Sequence, residues 1–489
     1  MKNTTQLFPG FHLQTLRKTP RSAMKIMADK MAEIKQKTFW QLGVCFGDFI
    51  PSHYLAQSDS GINSRRRLLS KENTFWSFLS QVLDADGGCK EVVRKLQVFS
   101  AMKSMKPPSS STSAYCQARK NLDVSSLEKI LQHTSSSLKF EADPEYLNGR
   151  RVVVVDGTGV SMPDTIDNQK VWPQQISQKV GCGFPQASIC ACFCLQTGAL
   201  LSHKIGNKKS HELPLLRQQW DTFKPGDIFL GDKGFCSYFD VYSFQTQGVD
   251  SVVTLARRIP CTAAESVQVL GDNDLLIHWQ KPAKNKKSSY SFEDWKKLPE
   301  KLLLRQIKVT INQSGFRTSS FYIITTLLDA DEYPASDIAD LYFQRWDVEL
   351  FFRDIKTTMG MDILRCQSPD MVRKEIIMHL IAYNCIRRLM IESVKGSKIS
   401  VRRVSFKGCV QALRQWEPHL NQTKISAHEC YRLLALLYDS IAKYTIPQRP
   451  GRSEPRAVKR RPKPFQLLTA PRHEMKVTIH RGQRYAKQA

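Results

Sequence analysis

Acidic side chains are in short supply in this chain. The 45 Asp and Glu stand against 72 Lys and Arg over 489 residues, a formal charge of +27, and a surplus of that size points to a polyanionic partner, nucleic acid before any other. No stretch reaches the roughly 20 uninterrupted apolar residues that a membrane-spanning helix needs, so no membrane span is expected. Residues 1–20 hold no apolar core of a secretory leader, so the 13 cysteines are expected to be reduced thiols of a cytoplasmic protein. They also lack the two-residue gaps of paired zinc motifs. The tightest group, Cys190, Cys192 and Cys194, has the alternation of a strand and reads as three core thiols. No internal repeat is present, and a single small binding module is excluded, because the chain has room for roughly two to four domains.

What is present falls into blocks of different texture. Residues 1–75 mix basic helical patterns (Lys25 to Lys37) with an apolar stretch around Phe39 to Tyr54, and carry the run Arg65, Arg66, Arg67. Residues 76–145 read as helical, broken by Pro107, Pro108 and a serine run. A helix follows with Ser113 near its start and Arg119 and Lys120 on its surface, a pattern that suits a small DNA-binding unit and an ordinary bundle equally. From residue 146 to 250 the pattern turns to strands: RVVVVDGTG places four valines before Asp156 and a glycine turn, the composition of a doubly buried central strand. Apolar segments at Ala187 to Leu195 and Leu200 to Ile205, a helix from about His211 to Phe223 and the strand DIFLGDKGF follow, so Asp156 and Asp232 each stand where an apolar strand gives way to a glycine-containing turn. In α/β sheets such strand ends collect ligand chemistry. Residues 251–330 alternate like an added β unit with a basic loop at Lys281 to Tyr290. Residues 331–445 read as helices, the first with Ser336 and Asp337 as candidate caps, and 446–489 as an extended, basic, Pro-rich arm.

Between Tyr342 and Lys356 the chain reads YFQRWDVELFFRDIK. On a helix turning about 100° per residue, Tyr342, Arg345, Glu349 and Lys356 fall within roughly 60° of one another. One stripe then carries an aromatic hydroxyl, two cations and a carboxylate. Phe343, Trp346 and Leu350 on one flank, with Val348, Phe351 and Ile355 on the other, predict a helix embedded in a core. A polar stripe on an embedded helix lines a site; the plain alternative is a solvated face with a Glu349 to Arg353 pair.

Asp156, Asp232 and Glu349, if brought together, repel one another unless a cation joins them. Oxygen-only ligands favour Mg²⁺ or Mn²⁺, and ions held this way activate a water or a 3′-hydroxyl on one side of a phosphodiester and stabilise the leaving oxygen on the other. Arg345 and Lys356 supply charge for phosphate oxygens, and Tyr342 can donate to a phosphate or pack on a sugar. The reaction class expected is phosphodiester hydrolysis or transesterification. Either aspartate taken alone is equally readable as a turn signal.

With these residues the chain resembles the DDE transposases of bacterial insertion sequences, the insertion-sequence-four group in particular. That group carries a Tyr-Arg-Glu-Lys signature, matched by Tyr342, Arg345, Glu349 and Lys356. It shows a strand ending in Asp-Gly-Thr, matched at Asp156, Gly157 and Thr158, and an Asp-Arg-Gly turn that here reads Asp232, Lys233, Gly234, with Lys in place of Arg. The stretches HELPLLRQQW, LRCQSPDMVRKEIIMHLIAYNCIRRLM and RPGRSEPRAVKRRPKP also look like that group, so the resemblance covers residues 100–470 and leaves the first hundred with little support.

The resemblance implies an α/β protein: an RNase H-like mixed-sheet catalytic domain interrupted by a β-rich insertion, with a helical N-terminal DNA-binding region. It implies Asp156, Asp232 and Glu349 as catalytic residues and ligands of Mg²⁺, for which Mn²⁺ may substitute, and Tyr342, Arg345, Lys356 and Lys233 as contacts to DNA. The implied activity is cut-and-paste movement of the encoding element, with terminal inverted repeats and target DNA as double-stranded partners. A homodimer in a synaptic complex and a cytoplasmic, nucleoid-associated bacterial setting are implied as well. In relatives that cut through a DNA hairpin, an aromatic of the insertion strand stacks on a flipped base. The matching strand here is FYIITT, with Phe321 and Tyr322 in place of Trp, and a plain core-strand reading of Phe321 stays open. The competing readings are a metal-dependent nuclease without strand transfer and a catalytically silent DNA-binding derivative. The second is disfavoured because all three carboxylates and their Tyr, Arg and Lys are present.

Overall fold

The structure, a computed structural model, describes residues 40–56, 67–138, 141, 143–207, 211–255, 259, 266–284, 290–311, 319–420, 426–447, 474, 479–480 and 483–484. The basic pattern at 25–37, Arg65 and Arg66, residues 285–289 of the basic loop and the arm at 448–463 lie outside the described residues. No helix among the described residues is long and apolar enough to cross a membrane.

Two compact units divide the chain: described residues within 1–137 and 377–446 form one, and those within 138–376 and 447–489 the other. The sequence reading placed one helical stretch over 331–445. The division falls inside the long helix Pro369–Val394, whose residues after Ile376 cluster with the N-terminal helices.

The first unit is helical, with Trp40–Phe46, Lys71–Leu83, Cys89–Met102, Ser113–Lys120, Val124–Ser137, Phe406–Leu420 and Ala427–Lys443 around the C-terminal part of the long helix. Ser70 caps the second of these by accepting the Asn73 N–H at 3.2 Å, and Phe75, Phe78 and Leu79 on it are buried, as are Val92, Leu96, Leu127 and Ile130 of the same unit. Arg119, expected on the surface, is buried. Its guanidinium lies 5.0 Å from the rings of both Phe78 and Tyr115 and donates to Gln81 Oε1 at 3.1 Å, so aromatic faces and an amide replace its water. Lys120 is exposed as expected.

The second unit is built on a nine-stranded sheet: β1 (Val152–Ser161), β2 (Gln186–Cys194), β3 (Leu200–Asn207), β4 (Ile228–Leu230), β5 (Asp250–Thr254), β6 (Gln268–Gly271), β7 (Asp274–Gln280), β8 (Lys301–Ile311) and β9 (Ser319–Thr325). The order is β3-β2-β1-β4-β5-β9-β8-β7-β6. β1, β4 and β5 are parallel and every other pairing is antiparallel, so the expected β unit at 251–330 extends the main sheet through the β5–β9 pairing. Side chains alternate faces along a strand. Val153 and Val155 share one face with Cys190 and Cys192, covered by Leu215, Leu216, Tyr238, Val241 and Phe244 from the helices Glu212–Arg217 and Tyr238–Thr246. Val154 and Asp156 take the other face with Phe193 and Ala191. Cys190, Cys192 and Cys194 are buried free thiols, as expected, and burial pushes the Cys192 thiol up to about 12.

Candidate active site

β1 runs through Gly157 and Thr158 to Ser161, so Asp156 is in mid-strand, a correction to the expected strand end. The flank still opens at the expected place, because β4 stops at Leu230, opposite Val154. Among the described residues, the side of β1 facing β4 has no strand partner beyond that point until Ser161 bridges Ile363. Two residues past the end of β4, Asp232 does sit in a turn, its Oδ1 accepting the Gly234 N–H at 2.7 Å, with Lys233 exposed beside it. Both aspartates therefore lie near one sheet opening, where α/β proteins place ligands.

The segment expected as one helix is three pieces. Ala335–Gln344 ends, Asp347–Arg353 resumes, and a π-type turn Asp354–Thr358 carries Lys356. π turns are rare and concentrate at functional sites. The flanks differ from expectation as well: Val348, Phe351 and Ile355 are buried, but Phe343, Trp346 and Leu350 are exposed. The buried flank packs on the sheet, where the rings of Phe351 and Phe352 stand 5.4 and 5.3 Å from Phe193 of β2.

The four-residue stripe is sorted by this packing. Tyr342 and Arg345 are each 8% exposed. The Tyr342 hydroxyl is hydrogen-bonded to Thr254 Oγ1 on β5 at 2.9 Å. The Arg345 guanidinium lies 4.8 Å from the Trp346 ring and 5.7 Å from that of Tyr342, and its buried Nε has no hydrogen-bond partner among the described residues. Glu349 and Lys356 instead face a cleft of about 390 Å³ that they share with Asp156, Thr158 and Arg353, and Lys356 Nζ donates to Thr158 Oγ1 at 3.1 Å. Phe321 is half-buried, its ring 5.5 Å from Tyr342 and 6.1 Å from Phe343. It is not among the residues lining the cleft.

Burial pushes the Asp156 carboxyl from the ordinary 3.8 up to about 6, and the negative charges of Asp232 and Glu212 add to the rise, while the Gly157 N–H and the Arg345 guanidinium oppose it. That N–H donates to Asp156 Oδ1 at 2.7 Å. Among the described residues, no three His, Cys, Asp or Glu side chains are gathered closely enough to hold a metal ion as they stand. Asp156 and Glu349 share the cleft, and Asp232 acts on Asp156 as charge. All three are carboxylates, the donors a hard divalent cation takes, and a cation is what relieves the crowding felt at Asp156. The donor chemistry thus fits such an ion, provided its binding draws the carboxylates inward.

Sequence reasoning missed three residues here. Thr254, the partner of Tyr342, carries no spacing signal of its own, and Thr158, the partner of Lys356, entered only as the last residue of the Asp-Gly-Thr match, with no role given to it. Glu212, whose charge reaches Asp156, lies in the HELPLLRQQW stretch, where only its acidity marked it.

A family profile for the transposase DDE domain matches residues 147–385. The transposase InsG of insertion sequence element IS4 from Escherichia coli (strain K12) is 25% identical over 440 residues, 88% of this chain and 95% of that protein. A probable transposase of insertion sequence element IS5377 from Geobacillus stearothermophilus is 33% identical over 84 residues, 17% of this chain and 22% of the relative. The cryo-EM structure of a piggyBac transposase synaptic complex with hairpin DNA aligns over 86% of this chain and 87% of its own, at 12% identity and a TM-score of 0.43, a likeness too loose to carry weight.

Proposed function

We propose that this chain, whose residues 147–385 match the transposase DDE domain and which is 25% identical to the IS4 transposase InsG over 88% of its length, is a DDE transposase of the insertion-sequence-four type that moves its own element by metal-dependent cut-and-paste transposition. The substrates in this reading are the element's terminal inverted repeats and a target duplex, and a homodimer holds the two ends together in a synaptic complex. The observation that carries the reading is the cleft itself, where Asp156, Glu349 and Lys356 converge beside the opening between β1 and β4, with the charge of Asp232 felt at Asp156.

Asp156, Asp232 and Glu349 would hold Mg²⁺, or Mn²⁺ in its place. Bound there, the cation supplies an activated water or 3′-hydroxyl and charge for the leaving oxygen. Lys356 faces the phosphate from the cleft, its ammonium aimed by Thr158. Arg345 acts from the buried side, favouring the charged form of Asp156, and Tyr342 ties the signature segment to β5 through Thr254. Lys233, exposed on the turn beside Asp232, meets the DNA backbone, and Phe321, braced by Tyr342 and Phe343, is the aromatic available for a base extruded on a hairpin route. An RNase H-like description of the catalytic unit is supported by the order β3-β2-β1-β4-β5, three antiparallel strands joined to parallel β4 and β5 with Asp156 on the central strand. The helical unit and the basic arm supply further contacts to DNA, for which the surplus of positive charge is the support.

The test uses purified protein, Mg²⁺ and a labelled duplex joining the element's terminal repeat to flanking DNA, run beside Glu349→Ala. Cleavage at the boundary and joining to a second duplex, both lost in Glu349→Ala, are the expected result. Cleavage without end preference or joining would replace a transposition cycle with a nuclease, and cleavage that survives Glu349→Ala would remove Glu349 from the site.

A further inference from the structure

Three side chains of the signature segment line the cleft along one ridge: Glu349, Arg353 and Lys356. Glu349 and Arg353 stand at i and i+4 on Asp347–Arg353, so about one helical turn brings them to the same side. Lys356 follows on the π turn, half-buried and already tied, its Nζ donating to Thr158 Oγ1 at 3.1 Å. Arg353 has no such tie. Its side chain is 59% exposed, and the ion pair it makes among the described residues is with Asp354 at 4.0 Å, beyond hydrogen-bond reach. The pair with Glu349 that a solvated face would form, and that the spacing allows, is not made among the described residues, although both side chains line the same cleft.

Arg150, Arg151, Arg217 and Arg305 of the same unit are each fitted to an aspartate, so this fold readily matches arginine to carboxylate. Arg353 shares a cleft with Asp156 and Glu349 and is fitted to neither. A cation in the last turn of Asp347–Arg353 favours the helix dipole, but any cation would do that and no cleft is needed for it. A guanidinium with its fork open can bind two oxygens of one phosphate at once. In the proposed reading, the carboxylates with their cation and the deeper Lys356 take the phosphate being cut. Arg353, rooted between them and more exposed than Lys356, reaches the next one. From the cleft position, the open fork and the absent Glu349 pair, we infer that Arg353 is a substrate-contacting residue, gripping the phosphate beside the scissile one on the strand that lies along this ridge. The inference rests on the proposed transposase reading of the cleft.

The test measures DNA binding by fluorescence anisotropy in EDTA, where no cutting occurs, with the purified full-length chain and duplexes joining the element's terminal repeat to flanking DNA. In a matched set, a single methylphosphonate removes the charge of one or the other phosphate flanking the cut. The unsubstituted protein is expected to lose about tenfold in affinity at one of these positions. Arg353→Gln is expected to bind the unmodified duplex about tenfold more weakly and to lose nothing further at that position. Its slope of log affinity against log salt should fall by about one, with an unchanged melting temperature. Arg353→Lys keeps the charge without the fork, and is expected to restore the slope but only part of the affinity. A helix-capping role alone would lower the melting temperature and leave the methylphosphonate response intact. Unchanged affinity in Arg353→Gln, or losses that simply add at both flanking phosphates, overturns the inference. The unsubstituted protein separates that outcome from failure of the wider reading: if it prefers the terminal repeat to an unrelated duplex while Arg353→Gln responds to the methylphosphonates as it does, only Arg353 is dismissed, and if it shows no such preference, the transposase reading falls as well.

Discussion

Two sets of carboxylates occupy the sheet unit, and the chain treats them in opposite ways. Asp274 on β7 is met by Arg305 of β8, 2.8 Å from Nε to Oδ1 and 2.6 Å from Nη2 to Oδ2, and the remaining arginine nitrogen donates to the carbonyls of Tyr333 and Asp329 at 2.6 and 3.2 Å. Asp250 is held by Arg150 at 2.6 Å and Asp240 by Arg217 at 2.7 Å, and Asp227 is paired with Arg151. Asp156, Asp232 and Glu349, by contrast, form no ion pair among the described residues, and the nearby Arg345 is turned onto rings. A fold that neutralises four aspartates with fitted guanidinium groups has the means to neutralise these. Carboxylates left without a fitted guanidinium at one opening support the proposed reading of that opening as the catalytic site.

The comparison breaks most visibly if removing a bare carboxylate harms the fold or leaves the chemistry intact. Glu349→Gln is expected to lose at least about 10⁴-fold in strand-transfer rate with an unchanged melting temperature, as single-turnover assays and calorimetry on one preparation would show. Removing a matching cation should do the reverse. Arg305→Met leaves Asp274 buried without its counter-charge, and a loss of about 3–5 kcal/mol is expected in urea unfolding; a loss under about 1 kcal/mol would mean water reaches the pair.

Asp156 offers a finer test through pH. Its folded carboxyl is raised from 3.8 to about 6, so the folded chain binds the proton more tightly than the unfolded one. Stability is lost as pH climbs through that window, and the cost, up to about 3 kcal/mol, is complete above it. Asp156→Asn is therefore expected to raise the metal-free melting temperature at about pH 8 and to change it little near pH 4, while abolishing activity. A stabilisation equal at both pH values would tie the effect to packing and not to charge. Lys356→Gln is the smallest step, expected to cost about 10- to 100-fold in rate, since it removes one charge-assisted contact and leaves the carboxylates in place. A change in binding affinity alone, with the rate of the bound complex intact, would move Lys356 out of the reacting site.

Much of the catalytic segment was legible from residue order. Four valines ahead of Asp156 demanded a central strand, and β1 is one. The spacing from Tyr342 to Lys356 marked a polar stripe, and its Glu349 and Lys356 do open on Asp156. What misled was the use of one ideal helix period across a segment that breaks at Arg345 and ends in a π turn. The period placed Phe343, Trp346 and Leu350 in a core, but which flank of a helix is covered depends on where the sheet lies, and it covers Phe351 while leaving Phe343, Trp346 and Leu350 exposed. Arg119 was misplaced for a related reason, since a cation is read as exposed until aromatic rings and an amide are found around it.

The sequence by itself determined the catalytic chemistry, because carboxylates, cations and apolar runs at these spacings are covalent facts that hold in any conformation. Only the tertiary structure decided which carboxylates are matched by a fitted guanidinium, because a counter-charge such as Arg305 for Asp274 or Arg217 for Asp240 comes from another element of the chain. Charge–charge energy depends on distance and burial, and neither is set until the strands have paired.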